Sequence, residues 1–451
     1  MNQTSAPNKF SISPKLGHMK PGGQPKIRIP TAAKTALHFL DRLQHGHLSV
    51  HLPDGSLREF GTKTLPTETS AGGSKKSKNP VLPLMASLYV QNWRVFAQAM
   101  KSGDIGFAES FIAGDWTTPN LTALLQLLAA NRKALDEIVY GSWWGRLAYR
   151  IKHLLNHNSR RNSLKNIHAH YDLGNAFYQL WLDETMNYSS ALFNGDFTLS
   201  LATAQQAKVR RALLQCRVQP GERLLEIGCG WGALAETAVA GMEAQIVGVT
   251  LSQEQLTYAQ NRLSKLENGA ENTSGIQKHA QPRADLRLQD YRDITDAPFD
   301  AICSIEMLEA VGQAYWPEYF QTVSRLLKPG ARACVQTIVI DDALFDRYVQ
   351  STDFIQQYIF PGGCLPCPRE FEQQAERAGL VVEDSFAFGR DYAQTLRLWR
   401  SEFNSHKSQI APLGFDERFM RIWEFYLCYC EAAFEVGDIN LMQFTLYKPV
   451  T

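Results

Sequence analysis

No uncharged apolar run in this chain approaches the ~18–20 residues that a bilayer-spanning helix requires; the richest, residues 121–131 and 425–434, are too short. A membrane-spanning helix is thereby excluded. Residues 1–30 lack an apolar h-region and carry only scattered lysines among polar residues, so they read as a flexible tail of a cytoplasmic protein, not a secretory signal. Cysteine is sparse, eight in 451 residues, and several lie inside apolar runs, so reduced buried thiols are expected in place of a disulfide framework. The one C-x-x-C, Cys364 with Cys367, has no second pair or His-x-x-x-His nearby and lacks half the ligands of a zinc site, so no metal is expected. No zinc finger, KH loop or RNP pattern is present, which argues against a nucleic-acid reader. With 44% hydrophobic and 20% charged residues, the chain is composed like a soluble globular protein and is long enough for two or three domains.

The net charge of +1 conceals an uneven distribution. Residues 1–170 hold 22 Lys and Arg against 9 Asp and Glu, whereas residues 171–451 hold 24 against 36. Nine of the eleven histidines also precede residue 171, so mild acidification makes the first part more positive still. A basic part without a nucleic-acid motif points to an anionic membrane surface. Residues 143–155 mix Trp143, Trp144 and Leu147 with Arg146, Arg150 and Lys152, as an interfacial helix does; an amphipathic helix packed on its own domain has the same pattern.

Along the chain, residues 31–44 read as a helix, residues 48–52 alternate as a strand before the turn signal Pro53, Asp54, Gly55, and residues 61–80 read as an exposed loop. Residues 81–100 have helical spacing, and Asp115 to Pro119 announces a further helix over 120–131. This is a small α+β domain over residues 31–160. From Pro220 short apolar strands (223–227, 244–249, 286–288, 299–304, 331–338) alternate with helical segments (233–240, 252–266, 315–327). That alternation predicts an α/β fold with a mostly parallel sheet and a ligand at the C-terminal ends of its strands, over residues 161–451.

The turn after the first of these strands reads Gly228, Cys229, Gly230, Trp231, Gly232. Glycines at alternate positions let the backbone turn sharply and admit a ligand where a Cβ would stand. A dinucleotide site wants G-x-G-x-x-G and a carboxylate about 20 residues on. Here the spacing is tighter, and the next strand ends Val249, Thr250, Leu251, Ser252, so NAD and FAD are disfavoured. Glu226 before the loop and Asp290 with Tyr291 after a later strand fit S-adenosylmethionine, which carries a cationic sulfonium and amino group and an adenine amine that donates hydrogen bonds.

With these pieces placed, residues 165–448 resemble the cyclopropane-fatty-acyl-phospholipid synthase family of S-adenosylmethionine-dependent methyltransferases. The resemblance runs in order through His170-Tyr-Asp-Leu-Gly-Asn175, Met186-Asn-Tyr-Ser-Ser-Ala191, the glycine loop, residues 248–255, Glu309, residues 358–366, residues 391–396 and Asp438 with Ile439. Residues 103–116 are also similar to the family's N-terminal module. The resemblance implies a Rossmann-like class I methyltransferase preceded by a small α+β domain that meets lipid, working as a homodimer on unsaturated phospholipids at the inner face of the membrane. Its cofactor-binding set would be Tyr188, Ser189, Glu226, Gly228, Gly230, Gly232, Thr250, Leu251, Ser252, Gln255, Asp290 and Tyr291.

In the family's reaction a cis double bond of an acyl chain attacks the sulfonium methyl, and the resulting cation loses a proton from the new methyl and closes to a ring. Tyr171, Tyr188, Phe360 and Tyr392 are candidates to face that cation. The family holds a bicarbonate ion as general base in a cage of Cys, Glu, His, Ile and Tyr. Mapped onto this chain, the cage is Ser190, Glu309, Gln336, Ile338 and Tyr392, with Ser in place of Cys and Gln in place of His. Both replacements can still hydrogen-bond an anion, although Gln cannot shuttle protons. Glu306 adds a carboxylate three residues before Glu309; on a helix the two would share a face, and one of them would be protonated or would serve as base directly. The expected product is a cyclopropane fatty acyl chain. A methyl-branched or methylene chain and a non-catalytic lipid-binding role are the alternatives.

Overall fold

The structure, a computed structural model, describes residues 28–63, 84–139, 173–274 and 283–450. The domain boundary expected near residue 160, the interfacial stretch 143–155, Tyr171 and most of the loop at 61–80 lie outside the described residues.

The first unit is a four-stranded sheet in the order β2-β1-β3-β4, made of β1 (His47–His51), β2 (Leu57–Gly61), β3 (Met85–Val90) and β4 (Trp116–Thr117). The Pro53, Asp54, Gly55 turn joins β1 to β2 as an antiparallel hairpin. One expectation fails here. Residues 85–90 pair in parallel with β1 as β3, and the helix starts only at Arg94 (Arg94–Ile112). Met85, Ser87 and Tyr89 alternate with buried Ala86, Leu88 and Val90, a period of two that an apolar-rich window masked.

The second unit is a seven-stranded sheet in the order β10-β11-β9-β8-β5-β6-β7. Its parallel half is β5 (Arg223–Ile227), β6 (Gln245–Thr250), β7 (Ala284–Leu288), β8 (Phe299–Ile305) and β9 (Leu327–Ile340). The expected strands all appear, within a few residues. Strands β11 (Ile439–Tyr447), antiparallel to β9, and β10 (Val381–Ala387), antiparallel to β11, extend it and were not expected. The central parallel strands β5, β6 and β8 are mostly buried and covered by helices such as Leu201–Cys216 and Trp316–Leu326, as strands buried on both faces must be. The chain therefore has an α/β fold built on a mostly parallel seven-stranded sheet, with a small α+β unit before it.

Helix Glu417–Val436 lies between the two units. Phe425 on it packs against Phe111, ring centroids 5.7 Å apart, and buried Glu431 accepts a hydrogen bond from Thr122 at 3.0 Å. Asp104 on helix Arg94–Ile112 accepts from the Tyr429 hydroxyl at 2.9 Å and from the Phe354 N–H at 3.2 Å. One apolar cluster runs from Ala33 to Leu441 across these contacts. Among the described residues no helix is long and apolar enough to cross a membrane.

Candidate functional site

A cavity of about 170 Å³ opens at the C-terminal ends of β5, β6 and β8. Ten of the twelve expected cofactor residues line it, all but Gly232 and Ser252. Those two build its frame. Gly232 starts helix Ala233–Met242 at φ 83°, and a Cβ there would stand 2.9 Å from that of Ala259. The Ser252 hydroxyl accepts the Gln255 N–H, while its own N–H donates to Thr250 Oγ1. Gly230, at φ 48°, faces open space with no atom within 4 Å of where a Cβ would be. Glu226 is buried, and its Oε2 has no hydrogen-bond partner. Burial raises its carboxyl well above the usual range, against the pull of the Lys208 ammonium. A buried acceptor left without a donor is costly unless a ligand supplies one, so hydroxyl groups of a bound nucleoside fit here. Asp290 also lines the cavity, but its carboxylate is held by Arg292 (Nε to Oδ1 2.9 Å).

Sequence reasoning missed Lys208. It lies on the inner face of helix Leu201–Cys216 with Ala204, Gln205, Val209, Ala212, Leu213 and Cys216, all buried. A lysine at a position whose helical neighbours are all internal was a readable signal. Its Nζ donates to Ser189 Oγ (2.5 Å) and Asn187 Oδ1 (3.2 Å). Burial pulls the ammonium down to about 8, while the carboxylates of Glu306, Asp183 and Glu226 act the other way.

A second cavity, of about 220 Å³ and mostly apolar, lies beside the first. Glu309, Ile338, Phe360, Tyr392 and Phe434 are among the residues that line it. The two cavities share Tyr188, Glu306 and Ala310 as a common wall. The Tyr188 hydroxyl is 2.8 Å from that of Tyr426, and its ring packs against Tyr178, Trp181 and Trp399.

Three of the five expected cage residues, Ser190, Gln336 and Tyr392, come together around a side chain and not around a space, while the other two, Glu309 and Ile338, bond to each other. Glu306 Oε1 accepts from the Ser190 backbone N–H at 2.9 Å and from Gln336 Nε2 at 2.7 Å, and Oε2 accepts from the Tyr392 hydroxyl at 2.6 Å. The Ser190 hydroxyl points elsewhere, donating to the Ala191 carbonyl. Gln336 is oriented by Gln443, its directly opposed partner on β11, whose Nε2 donates to Gln336 Oε1 at 2.8 Å. Gln443 is thus a further site residue, invisible before β11 was known to pair with β9. Glu309 Oε1 accepts the Ile338 N–H at 2.5 Å, and Oε2 is a buried orphan. The two carboxylates do not share a helix face. Glu306 follows β8 at φ 49°, and Glu309 sits in the short 3-10 turn Leu308–Ala310. Burial pushes Glu309 up to about 8, and the neighbouring Glu306 charge adds to the rise. Burial also raises Glu306, opposed by Tyr392, Lys208, Ser190 and Gln336.

The motif segments lock this arrangement. Asp391, next to Tyr392, accepts the N–H groups of Phe193 (2.5 Å) and Asn194 (2.8 Å), and Thr395 Oγ1 accepts that of Ala191. Asn175 accepts from the indole N–H of Trp231 in the glycine loop at 2.7 Å. All eight cysteines are free thiols, and Cys216 lies 3.3 Å from Cys303, sulfur to sulfur.

Three comparisons bear on this site. The mycolic acid cyclopropane synthetase family model matches residues 158–444. The tuberculostearic acid methyltransferase of Mycobacterium tuberculosis is 37% identical over 81% of this chain and 84% of its own. The cyclopropane-fatty-acyl-phospholipid synthase of Escherichia coli is 34% identical over 81% of this chain and 88% of its own. Among solved structures, mycolic acid cyclopropane synthase CmaA1 complexed with SAH and CTAB is 31% identical, with a TM-score of 0.56 over 63% of this chain and 98% of that one.

Proposed function

The chain belongs to the mycolic acid cyclopropane synthetase family and is an S-adenosylmethionine-dependent lipid methyltransferase of that family; from this we propose that it methylates the cis double bond of unsaturated phospholipid acyl chains and closes a cyclopropane ring there. The observation that carries the reading is the common wall. A cavity with an orphaned Glu226 oxygen and a more apolar cavity rimmed by aromatic rings meet at Tyr188, Glu306 and Ala310. A nucleoside donor and a hydrocarbon acceptor can be held there face to face.

When bound, S-adenosylmethionine supplies an electrophilic methyl on sulfur. Glu226 is the residue to hold its hydroxyls, and the Gly228 to Gly230 backbone leaves room beside it. An alkene is a weak nucleophile, so the protein's work is to bring the reactants into contact in a dry site. Tyr188, Tyr392 and Phe360 turn ring faces or edges to the apolar cavity, where a carbocation would form. Lys208 keeps a positive charge near the Glu226 and Glu306 carboxylates. The basic first 170 residues support docking on an anionic membrane surface.

A second reading, methylene or methyl branching of the acyl chain, is favoured by the 37% identity to the tuberculostearic acid methyltransferase. The experiment uses vesicles of unsaturated phospholipid and methyl-deuterated S-adenosylmethionine, with mass spectrometry of the acyl chains. A chain that keeps two deuteriums and resists mild hydrogenation carries the ring. Two deuteriums with uptake of hydrogen indicate an exocyclic methylene, and three a methylated alkene. No label in any acyl chain would sink the reading.

A further inference from the structure

We propose that the Glu306 carboxylate is the general base of the reaction, built into the chain at the place where the cage would otherwise hold a free anion. The inference rests on the reaction proposed above and names the group that takes its proton.

Three observations carry it. First, the donors of the cage are already committed: the Ser190 N–H, Gln336 Nε2 and the Tyr392 hydroxyl all point at Glu306, at 2.9, 2.7 and 2.6 Å. A second anion at this place would find these donors taken and a carboxylate beside it. Secondly, Glu306 is one of only three residues that border both cavities among the described residues, and of the three only it is a carboxylate. Glu309 borders the apolar cavity alone. Thirdly, Glu306 adopts φ 49°, a left-handed conformation that a residue with a side chain enters at a cost and that a glycine would enter freely. That cost is tolerated where the surroundings over-determine the side chain, as these three donors and Lys208 do.

The alkene π pair forms a C–C bond to the donor methyl, the S–CH3 bond breaks and its pair stays on sulfur, and the adjacent chain carbon becomes cationic. Glu306 takes one proton from the new methyl, and the C–H pair closes the ring onto the cationic carbon. The neutral Glu306 acid then returns its proton to solvent. Ser190, Gln336 and, through Gln336, Gln443 are positioning residues for this base. Tyr392 both holds Oε2 and lines the cavity. Burial that raises the Glu306 carboxyl makes it a better proton acceptor than an ordinary glutamate.

The test uses the full chain, vesicles of unsaturated phospholipid, and two variants that separate base loss from misfolding. Wild-type turnover should be unchanged in buffer stripped of carbon dioxide and bicarbonate. Glu306→Gln keeps the shape of the side chain, and we expect S-adenosylmethionine affinity within about threefold of wild type and acyl methylation down by about 100-fold or more. Glu306→Gly suits the backbone conformation and opens the space; added bicarbonate or formate should raise its activity at least about tenfold, while leaving Glu306→Gln unmoved. The proposal is overturned if wild type needs bicarbonate, if Glu306→Gln stays within about threefold of wild-type turnover, or if Glu306→Gly is inert to every added anion. Failure of the reaction reading is distinguishable from all of these, since wild type itself would then label no acyl chain or give the methylene or methylated alkene in place of the ring.

Discussion

Glu309 carries a buried oxygen with no partner and a carboxyl pushed up to about 8, which makes its folded-state proton a stability device with a definite sign. The folded value lies above the ordinary 4.5, so the native state holds the extra proton. Stability from this group is complete below about pH 4.5 and is lost as pH rises through about 8. Replacing Glu309 with Gln removes the titration. Thermal unfolding should then show wild type and variant alike near pH 5 and the variant more stable at pH 9, by about 1–3 kcal/mol. A difference that does not change with pH would show that Glu309 is ionised throughout. At this scale the residue types were legible: Glu309, Ile338 and Tyr392 were named from the sequence and do line the apolar cavity. Their bonding was not, since Ser190 contributes its backbone N–H and not the hydroxyl that its residue type advertises.

At the scale of elements, helix Leu201–Cys216 shows how one position departs from its own pattern. Seven buried residues repeat along its inner face, and Lys208 is the one basic member. Burying an ammonium costs stability that apolar packing would not. Lys208→Met removes that cost but leaves the buried Glu306 and Glu226 carboxyls without their cation, so the urea midpoint should fall, and S-adenosylmethionine affinity should fall about tenfold, about 1.4 kcal/mol. Isothermal titration calorimetry with unchanged affinity would remove Lys208 from the binding machinery. Elements with an unmixed signal were read correctly, as β5 and β8 were, because continuous apolar runs between turn residues have few other solutions. β3 was read as helix because its six residues adjoin a true helix, and a window spanning both averages two periods. The three-residue interval between Glu306 and Glu309 would put them on one face of a helix, but the segment after β8 is not one, because Glu306 has a positive φ and Glu309 lies in a 3-10 turn.

For the whole molecule, the two units share one apolar cluster through helix Glu417–Val436, so the first unit is seated on the same helix whose Tyr426 reaches Tyr188 at the common wall. The charge of the two parts differs in sign, which sets how the molecule would meet a membrane. Reversing Arg146, Arg150, Lys152, Arg160, Arg161 and Lys165 should weaken binding to anionic vesicles, and raising salt from 0.05 to about 0.5 M should abolish most wild-type binding. Sedimentation that is indifferent to both changes would leave the basic segment without a membrane role.

The sequence by itself determined the alternating strand and helix order, the glycine turn that receives a nucleoside, the basic first part, and the residue types around the reacting centre. Each of these follows from local periodicity, backbone permissiveness or charge, which are properties of neighbours along the chain. Only the tertiary structure decided what the cage encloses. Ser190, Glu306, Gln336, Tyr392 and Gln443 come from five separate segments, and Gln336 meets Gln443 only because β11 runs antiparallel to β9 in one register. Which acceptor a set of donors finds depends on distances of a few tenths of an ångström across those segments. Spacing along the chain does not specify such distances, so Glu306 was legible as an added carboxylate, but its place at the centre of the cage became visible only in three dimensions.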